Sequence, residues 1–568
     1  MATSAMRSTM TIGDFLLRRL REAGISHMFG VAGDYNLEFL QQLEDSGTLS
    51  WVGTCNELNA AYAADGYARL SGMAAFAVTN GVGALSAMNG VAGAYSEHVP
   101  VICVCGSVPQ KAVERKLLMH HTLAEDGYHD FLRAYTQVTA AQARLTPQNA
   151  IAEIDRLIET AWLRKLPVYL ELPSDIAYLE VDVPAEPFTV TEPPIDSERL
   201  ESCSRAVVER LSTAKTPAIL IDLDADRFGA VDEIKELAQK LRLPIAAINT
   251  SKAVIDDTFP NCLGMYVGAA SAPEVRRAVE QSDCLLAIGV RRVDLTTGCF
   301  SDAIPASAIH IRAYSVDIGD DNYQAVKLKD VLRAVIDTVS PVTDRAAPTR
   351  QESGTTRAQS SPASALTQAA YWAEIQSFVR DGDVILAEDG TSEAGAWELT
   401  LPPNCTFVVQ AIWGSIGYSL GSLLGTLTAA PDRRHLLFIG DGSFQVTAQE
   451  LSTVLRHDHK PIIFLINNGG YTVERTILGK TSSYNDISNW AYAELPRVFR
   501  PDTTAKSFVV KTPGELREAL KTPHDSMIFI EAIMDPYDTP ALLAQNGHGM
   551  AETDYGPRGP QHRDNMQI

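Results

Sequence analysis

Two short stretches carry residue types that could do chemistry. In the first, the apolar run LLFI leads into Gly440-Asp441-Gly442-Ser443, and the apolar run IIFLI leads into Asn467-Asn468-Gly469-Gly470. A carboxylate and an amide oxygen are hard ligands of the kind Mg²⁺ takes while it keeps room for phosphate oxygens and water. Gly442 and Ser443 would offer backbone N–H groups at a helix start, where phosphate is favoured. Gly469 and Gly470 let the backbone turn, so that a carbonyl can join a metal shell. The simpler alternative is two ordinary strand-to-helix turns. The second stretch is MHHTL, with His120 beside His121 in a chain of only 12 histidines. Such a pair can be a metal site, an acid/base device or an exposed pair of no consequence. No neighbouring Cys or His completes a ligand set.

Positioning these residues requires strands that end at a common edge, and the sequence alternates accordingly. AAFAVT (74–79), VPVICVCG (99–106) and PVYLELP read as buried strands separated by helical stretches, the rhythm of a parallel sheet. TPAILIDLDAD, LPIAAINT, CLLAIGV and AIHIRAYS repeat that rhythm, with a helix around 231–241. DVILAEDG, RRHLLFIGDGS, KPIIFLINNGG and MIFIEAIM do so a third time. The expectation is an α/β chain of three consecutive parallel-sheet domains, at 8–185, 196–340 and 365–545. The Pro-rich segment 181–196 and the Ser/Thr/Pro-rich segment 341–364 read as linkers. The polar stretch 546–568 reads as a mobile tail or a lid.

At 568 residues and a formal charge of −22, the chain shows no basic stripe, so nucleic acid is not an expected partner. Eight scattered cysteines without a CxxC pair imply neither a disulfide framework nor a zinc site, which fits a reducing cytoplasm. Leu16, Leu17 and Leu20, interleaved with Arg, predict an amphipathic helix rather than a signal peptide. No run reaches about 18 apolar residues, so no membrane span is expected.

The segments GVAGDYNLEFL (30–40), CNELNAAYAADGYARLSG (55–72), GVGALSAMNGVAGAYSEHVPV (81–101), WGSIGYSLG (413–421) and NNGGYTVE (467–474) together resemble the thiamine diphosphate-dependent pyruvate and indolepyruvate decarboxylase family, most closely its indolepyruvate and branched-chain members. The resemblance implies a pyrimidine-binding, a middle and a diphosphate-binding domain. It implies thiamine diphosphate and Mg²⁺ as cofactors, and non-oxidative decarboxylation of a 2-keto acid to an aldehyde and CO2 through a cofactor ylide. By the same resemblance, Glu57 would face the pyrimidine ring. Gly414 and Ile416 would hold the cofactor bent. Gly442, Ser443, Thr391, Ser392 and Asn468 would bind it, and Asp441, Asn468 and Gly470 would hold the metal. Asp34, His120, His121 and Glu474 would manage protons. Glu57 and the metal motif would come from different subunits, giving a dimer-interface site and a homotetramer.

Within AEDGTSEAGAW (387–397) the chain departs from that family. Relatives commonly carry an amide or small hydroxyl residue where Asp389 stands, and apolar residues where Glu393 and Ala394 stand. Ala394 would enlarge the substrate pocket, and Asp389 would make it more negative. Glu393 would do the same if it faced inward rather than to solvent. Val473 and Ile477 are candidate pocket walls or ordinary core. A bulky or cationic 2-keto acid is then the expected substrate. A carboligase resembling acetohydroxyacid synthase shares this fold and cofactor but lacks the histidine pair. A non-catalytic cofactor-binding scaffold would not need every catalytic position filled.

Overall fold

The computed structural model describes residues 7–125, 127–346, 348 and 361–556. The chain forms two compact units. The first runs to Glu192 and also includes Gly417–Asp432 and Thr447–His459; the second holds Pro193–Ile416, Arg433–Val446 and everything from Lys460 onward.

In the first unit six parallel strands lie in the order Ser50–Gly53, His27–Gly30, Ala74–Thr79, Val101–Ser107, Val168–Pro173 and Gln142–Arg144. The central strands are buried along their whole length, as expected for a sheet covered on both faces. Helix Ile12–Glu22 starts where Thr11 Oγ1 accepts from the Asp14 backbone N–H at 3.1 Å, and it buries Phe15, Leu16, Leu17 and Leu20 completely. Two further helices, Glu57–Ser71 and Tyr418–Ala429, cross at very short range. A side chain on Gly66 would meet the Ser422 carbonyl at 2.2 Å, and one on Gly425 would meet the Ala63 carbonyl at 1.8 Å. Beside that crossing, buried Asp65 binds Arg69 Nε at 2.6 Å and accepts the Tyr418 hydroxyl.

The second unit holds two sheets. One has parallel strands Cys262–Tyr266, Ile245–Ile248, Pro217–Ile221, Cys284–Ile288 and Ile309–Arg312, then two antiparallel edge strands, Ser315–Ile318 and Asp321–Gln324. The other is wholly parallel, in the order Thr406–Val408, Val384–Ala387, His435–Gly440, Ile462–Asn467, Ile528–Ile533 and Lys506–Val510.

Three segments differ from the sequence expectation. Part of the first Pro-rich linker is a strand: Glu180–Pro184 pairs antiparallel with Arg7–Thr11, because Val183 has a place in the core at 1% exposure. The second linker begins docked, with Arg345 Nη1 donating to the Leu241 carbonyl at 2.7 Å, whereas 347 and 349–360 lie outside the described residues. The polar tail is helical as far as it is described. Helix Ala541–Tyr555 is anchored by buried Leu542, Leu543 and Ala551, and 557–568 lie outside the described residues. No helix among the described residues is long and apolar enough to cross a membrane.

His27, His457 and His459 gather in the first unit. Burial holds all three below the ordinary imidazole range; Arg21 adds to this at His27 and Arg456 at His457, while Asp458 opposes it. His459 is driven down to about 4, by burial first and then by the charges of His457 and His27. A folded-state value depressed below 6.5 means the unfolded chain takes up the proton more readily. Stability is therefore complete above pH 6.5 and is lost as the pH falls toward 4. Urea unfolding at pH 7 and pH 5 should show this loss. His459→Gln should retain about 1 kcal/mol more at pH 5 than the parent chain, after allowance for solvent screening.

Candidate functional site

Three neighbouring strands of the wholly parallel sheet deliver polar residues to one edge. Asp389 follows Val384–Ala387, Asp441 follows His435–Gly440, and Asn468 follows Ile462–Asn467. The chain order reverses around Val384–Ala387, which has Thr406–Val408 on one side and His435–Gly440 on the other. Ligands of open α/β sheets bind at such a switch point, beyond the carboxyl ends of the strands.

Asp441 is 1% exposed. Its Oδ1 accepts from Gly442 N at 2.8 Å, and its Oδ2 accepts from Gly469 N at 2.7 Å and Gly470 N at 3.2 Å. Burial pushes this carboxyl up to about 6, against the pull of those donors. Beside it Asn468 is 5% exposed, and its Oδ1 has no hydrogen-bond partner among the described residues. A buried amide oxygen left unpaired costs about 1–3 kcal/mol, so it calls for a partner from outside the chain. A buried carboxylate and a buried unpaired oxygen on adjacent turns suit a divalent cation that also holds phosphate.

The turn that brings them together depends on glycine. Gly470 has φ +136°, and a Cβ there would lie 2.0 Å from the Asn485 carbonyl oxygen. Arg475 Nη2 pins the same turn, donating to the Gly469 carbonyl at 3.1 Å and to Asp486 Oδ1 at 2.7 Å. Helix Thr472–Ile477 then carries Val473 and Glu474. A cavity of about 480 Å³, part of it open to solvent, is lined by ten of the predicted residues: Asp389, Thr391, Ile416, Asp441, Gly442, Ser443, Asn468, Gly470, Val473 and Glu474. Burial, and then the charge of Asp554, holds Glu474 above the usual carboxylate range.

Glu393 answers the question left open by its sequence. It does not turn to solvent: it is 3% exposed on helix Thr391–Trp397 and hydrogen-bonds Asp389 from behind the cavity wall. Ser392, Ala394 and Ile477 are also buried without lining the cavity, and the Ser392 hydroxyl has no partner among the described residues. Gly414 stands beside Asp389; a Cβ on it would lie 3.4 Å from Asp389 Oδ2.

The first unit holds the remaining predicted residues. Glu57 opens helix Glu57–Ser71, whose cap is the Asn56 side chain accepting from Asn59 N at 2.8 Å. Its carboxylate rests on helix Val82–Ser96, 3.2 Å from where a Cβ on Gly83 would be. Glu450 secures this helix start, since its Oε2 accepts from Cys55 N at 3.1 Å and from Asn59 Nδ2 at 2.6 Å. Asp34 joins both imidazoles: His120 Nε2 lies 2.5 Å from Oδ2, and His121 Nε2 lies 3.8 Å from Oδ1. The two rings are 4.7 Å apart rather than divergent, because His121 has a left-handed backbone at φ +55°. Asp34 is also the third group that could complete a metal set, as all three ligand atoms lie within 4.8 Å. The direct 2.5 Å contact leaves no room for an ion between His120 and Asp34.

Sequence reasoning passed over four contributors. Tyr35 stacks on His120 at 5.0 Å; it was visible only as the residue after Asp34. Tyr471 lines the cavity from inside the quoted NNGGYTVE motif. Glu450 and Asp554 lie far along the chain from the groups they act on, and no local pattern marks them.

Comparison with known proteins matches residues 10–130 to the thiamine pyrophosphate enzyme N-terminal TPP binding domain. Residues 204–339 match the central domain of those enzymes, and 390–532 match their C-terminal TPP binding domain. An alpha-keto-acid decarboxylase of Mycobacterium tuberculosis (strain ATCC 25618 / H37Rv) is 40% identical over 95% of this chain and 97% of its own length. A pyruvate decarboxylase of Aspergillus terreus is 37% identical over 95% and 97%. An alpha-keto-acid decarboxylase of Mycobacterium leprae is 37% identical over 96% of each.

The two glycines of the 469–470 turn should respond differently to substitution. Gly469→Ala meets no atom within 4 Å and carries only left-handed strain at φ +72°, about 1–2 kcal/mol. Gly470→Ala adds a backbone clash, so it should lower the urea midpoint clearly further and raise proteolysis around Asn485.

Proposed function

The chain belongs to the thiamine diphosphate-dependent 2-keto acid decarboxylases, and from that premise we propose how its residues divide the work. The reaction is the non-oxidative decarboxylation of a 2-keto acid to an aldehyde and CO2. The observation that carries this reading is the edge where Asp441 and unpaired Asn468 meet within one cavity.

Thiamine diphosphate, when bound, supplies the electron sink for the carbon–carbon bond that breaks. Asp441, Asn468 and the Gly470 carbonyl would hold Mg²⁺, which would supply the positive charge that a diphosphate needs. Ser443 would bind that diphosphate through its backbone N–H, with Gly442, whose own N–H is held by Asp441 Oδ1, and with Thr391 and Ser392 nearby. Ile416 and the Gly414 carbonyl would hold the cofactor's rings. Glu57 would face the cofactor's pyrimidine ring. Asp34, the two imidazoles and Glu474 deliver a proton to carbon and withdraw one from the product hydroxyl. Burial and the charge of Asp554 raise the proton affinity of Glu474, which favours its acid form. Among the described residues of this chain that line the cavity, none is Lys, Arg or His.

The working form is an assembly of at least two copies, one supplying Glu57 with the Asp34–histidine cluster and the other supplying the metal motif; two such dimers make the tetramer. Exposed apolar residues support this. Val82 (53%) and Leu85 (49%) lie on the helix against which Glu57 rests, and Leu118 (67%) and Leu123 (65%) flank the histidines.

Keto acid decarboxylation measured by aldehyde release should require both thiamine diphosphate and Mg²⁺. Glu57→Gln should lower kcat at least ~100-fold while cofactor binding, read by titration of intrinsic fluorescence, persists. His120→Ala should slow turnover ~10–100-fold without weakening the cofactor. Full activity in all three cases would remove the reading.

A further inference from the structure

Asp389 lines the cavity but belongs to neither the metal turn nor the histidine cluster. Its Oδ2 faces Gly414, and a Cβ on the adjoining Gly390 would lie 3.7 Å from Val473 Cγ2. From the rear, Glu393 hydrogen-bonds it at 3% exposure. Two carboxyl groups can hydrogen-bond to each other only with a proton between them, so a pair joined in this way shares one proton and one negative charge. Burial and the nearby charge of Glu474 raise Asp389 to about 6, which agrees with a shared proton. Away from the turn assigned to the metal, the cavity wall thus carries two carboxyl groups, Asp389 and Glu474, with no Lys, Arg or His among its described lining residues. Helix Thr391–Trp397 places Ala394, one of the smallest side chains, directly after Glu393.

We propose that the Asp389–Glu393 carboxyl pair is a specificity determinant. It favours a 2-keto acid whose side chain ends in a cation, such as a guanidinium or ammonium group, and disfavours one whose side chain ends in a second carboxylate. This rests on the decarboxylase reading and refines its substrate class. Asp389 presents the charge, and Glu393 is a positioning residue that holds Asp389 through their shared proton. A charge a few ångströms from a bound cation in a partly desolvated cavity changes affinity by at least about tenfold.

The test is steady-state kinetics of the holoenzyme on three substrates: 5-guanidino-2-oxopentanoate, neutral 4-methyl-2-oxopentanoate and 2-oxoglutarate. The parent enzyme should rank them in that order in kcat/KM. Asp389→Asn should cut the ratio of guanidino to neutral substrate at least ~10-fold, mainly through KM. Glu393→Gln, which can still donate a hydrogen bond to a charged Asp389, should keep that ratio within about threefold. A parent enzyme that prefers the neutral or the dicarboxylic substrate overturns the proposal, and needs no variant to do so. An unchanged ratio in Asp389→Asn overturns it as well. If all three go unreacted while pyruvate is decarboxylated, the proposal is overturned and the decarboxylase reading stands; if pyruvate and all three go unreacted, the decarboxylase reading itself fails.

Discussion

One carboxylate holds the site of the second unit together. Asp441 accepts three backbone N–H groups, one from its own turn and two from the turn after the next strand. This joins two strand ends that the sheet alone only brings near each other. Everything downstream takes its place from that tie: the left-handed glycines, the neighbouring Asn468 and the helix that presents Glu474. The tie works only because Asp441 is buried, where hydrogen bonds to a charged group are strong and an unpaired charge would be intolerable. Burial also raises the carboxyl to about 6, so the same location that makes the tie strong makes it sensitive to a nearby cation.

The first unit is organised on a different basis. Its predicted catalytic groups sit on short, locally capped pieces: a helix start for Glu57, a turn for Asp34 and a left-handed residue for His121. Such pieces have little rigidity of their own. Glu450 braces the helix start, and Tyr35 stacks against the imidazole. The two glycine-lined helices behind Glu57 bring their backbones close enough that packing, rather than side-chain bulk, fixes the crossing.

Much of this was readable in the chain itself. The parallel strands were legible as apolar runs, since strands buried on both faces need no alternation. The two turns that carry Asp441 and Asn468 were legible because polar residues and glycines follow apolar runs at two strand ends. The edge strand Glu180–Pro184 was hidden among prolines, and its antiparallel partner at Arg7–Thr11 lies too far away in sequence for local patterning to reveal. The orientation of Glu393 could not be read either. A glutamate in the first turn of a helix is ordinarily solvated, and only the packing around Asp389 turns this one inward. The long-range braces, Glu450 and Asp554, depend on tertiary proximity that no motif encodes.

The discontinuity of the first unit has a consequence for synthesis. Its N-terminal part ends at Glu192, yet the helix that grips Glu57–Ser71 begins only after Gly417, 225 residues later (417 − 192). A ribosome adding ~5–20 residues per second needs roughly 10–45 s to cover that gap. During that interval the nascent chain has its six-stranded sheet without the helix that closes the glycine-lined groove. The usual order, in which the N-terminal domain finishes first, is therefore not open to this chain. Its first unit is completed late, by residues made after the whole middle sheet has left the ribosome. Growth conditions and chaperones that act on that exposed intermediate should govern the yield of folded enzyme more than the stability of the finished protein does.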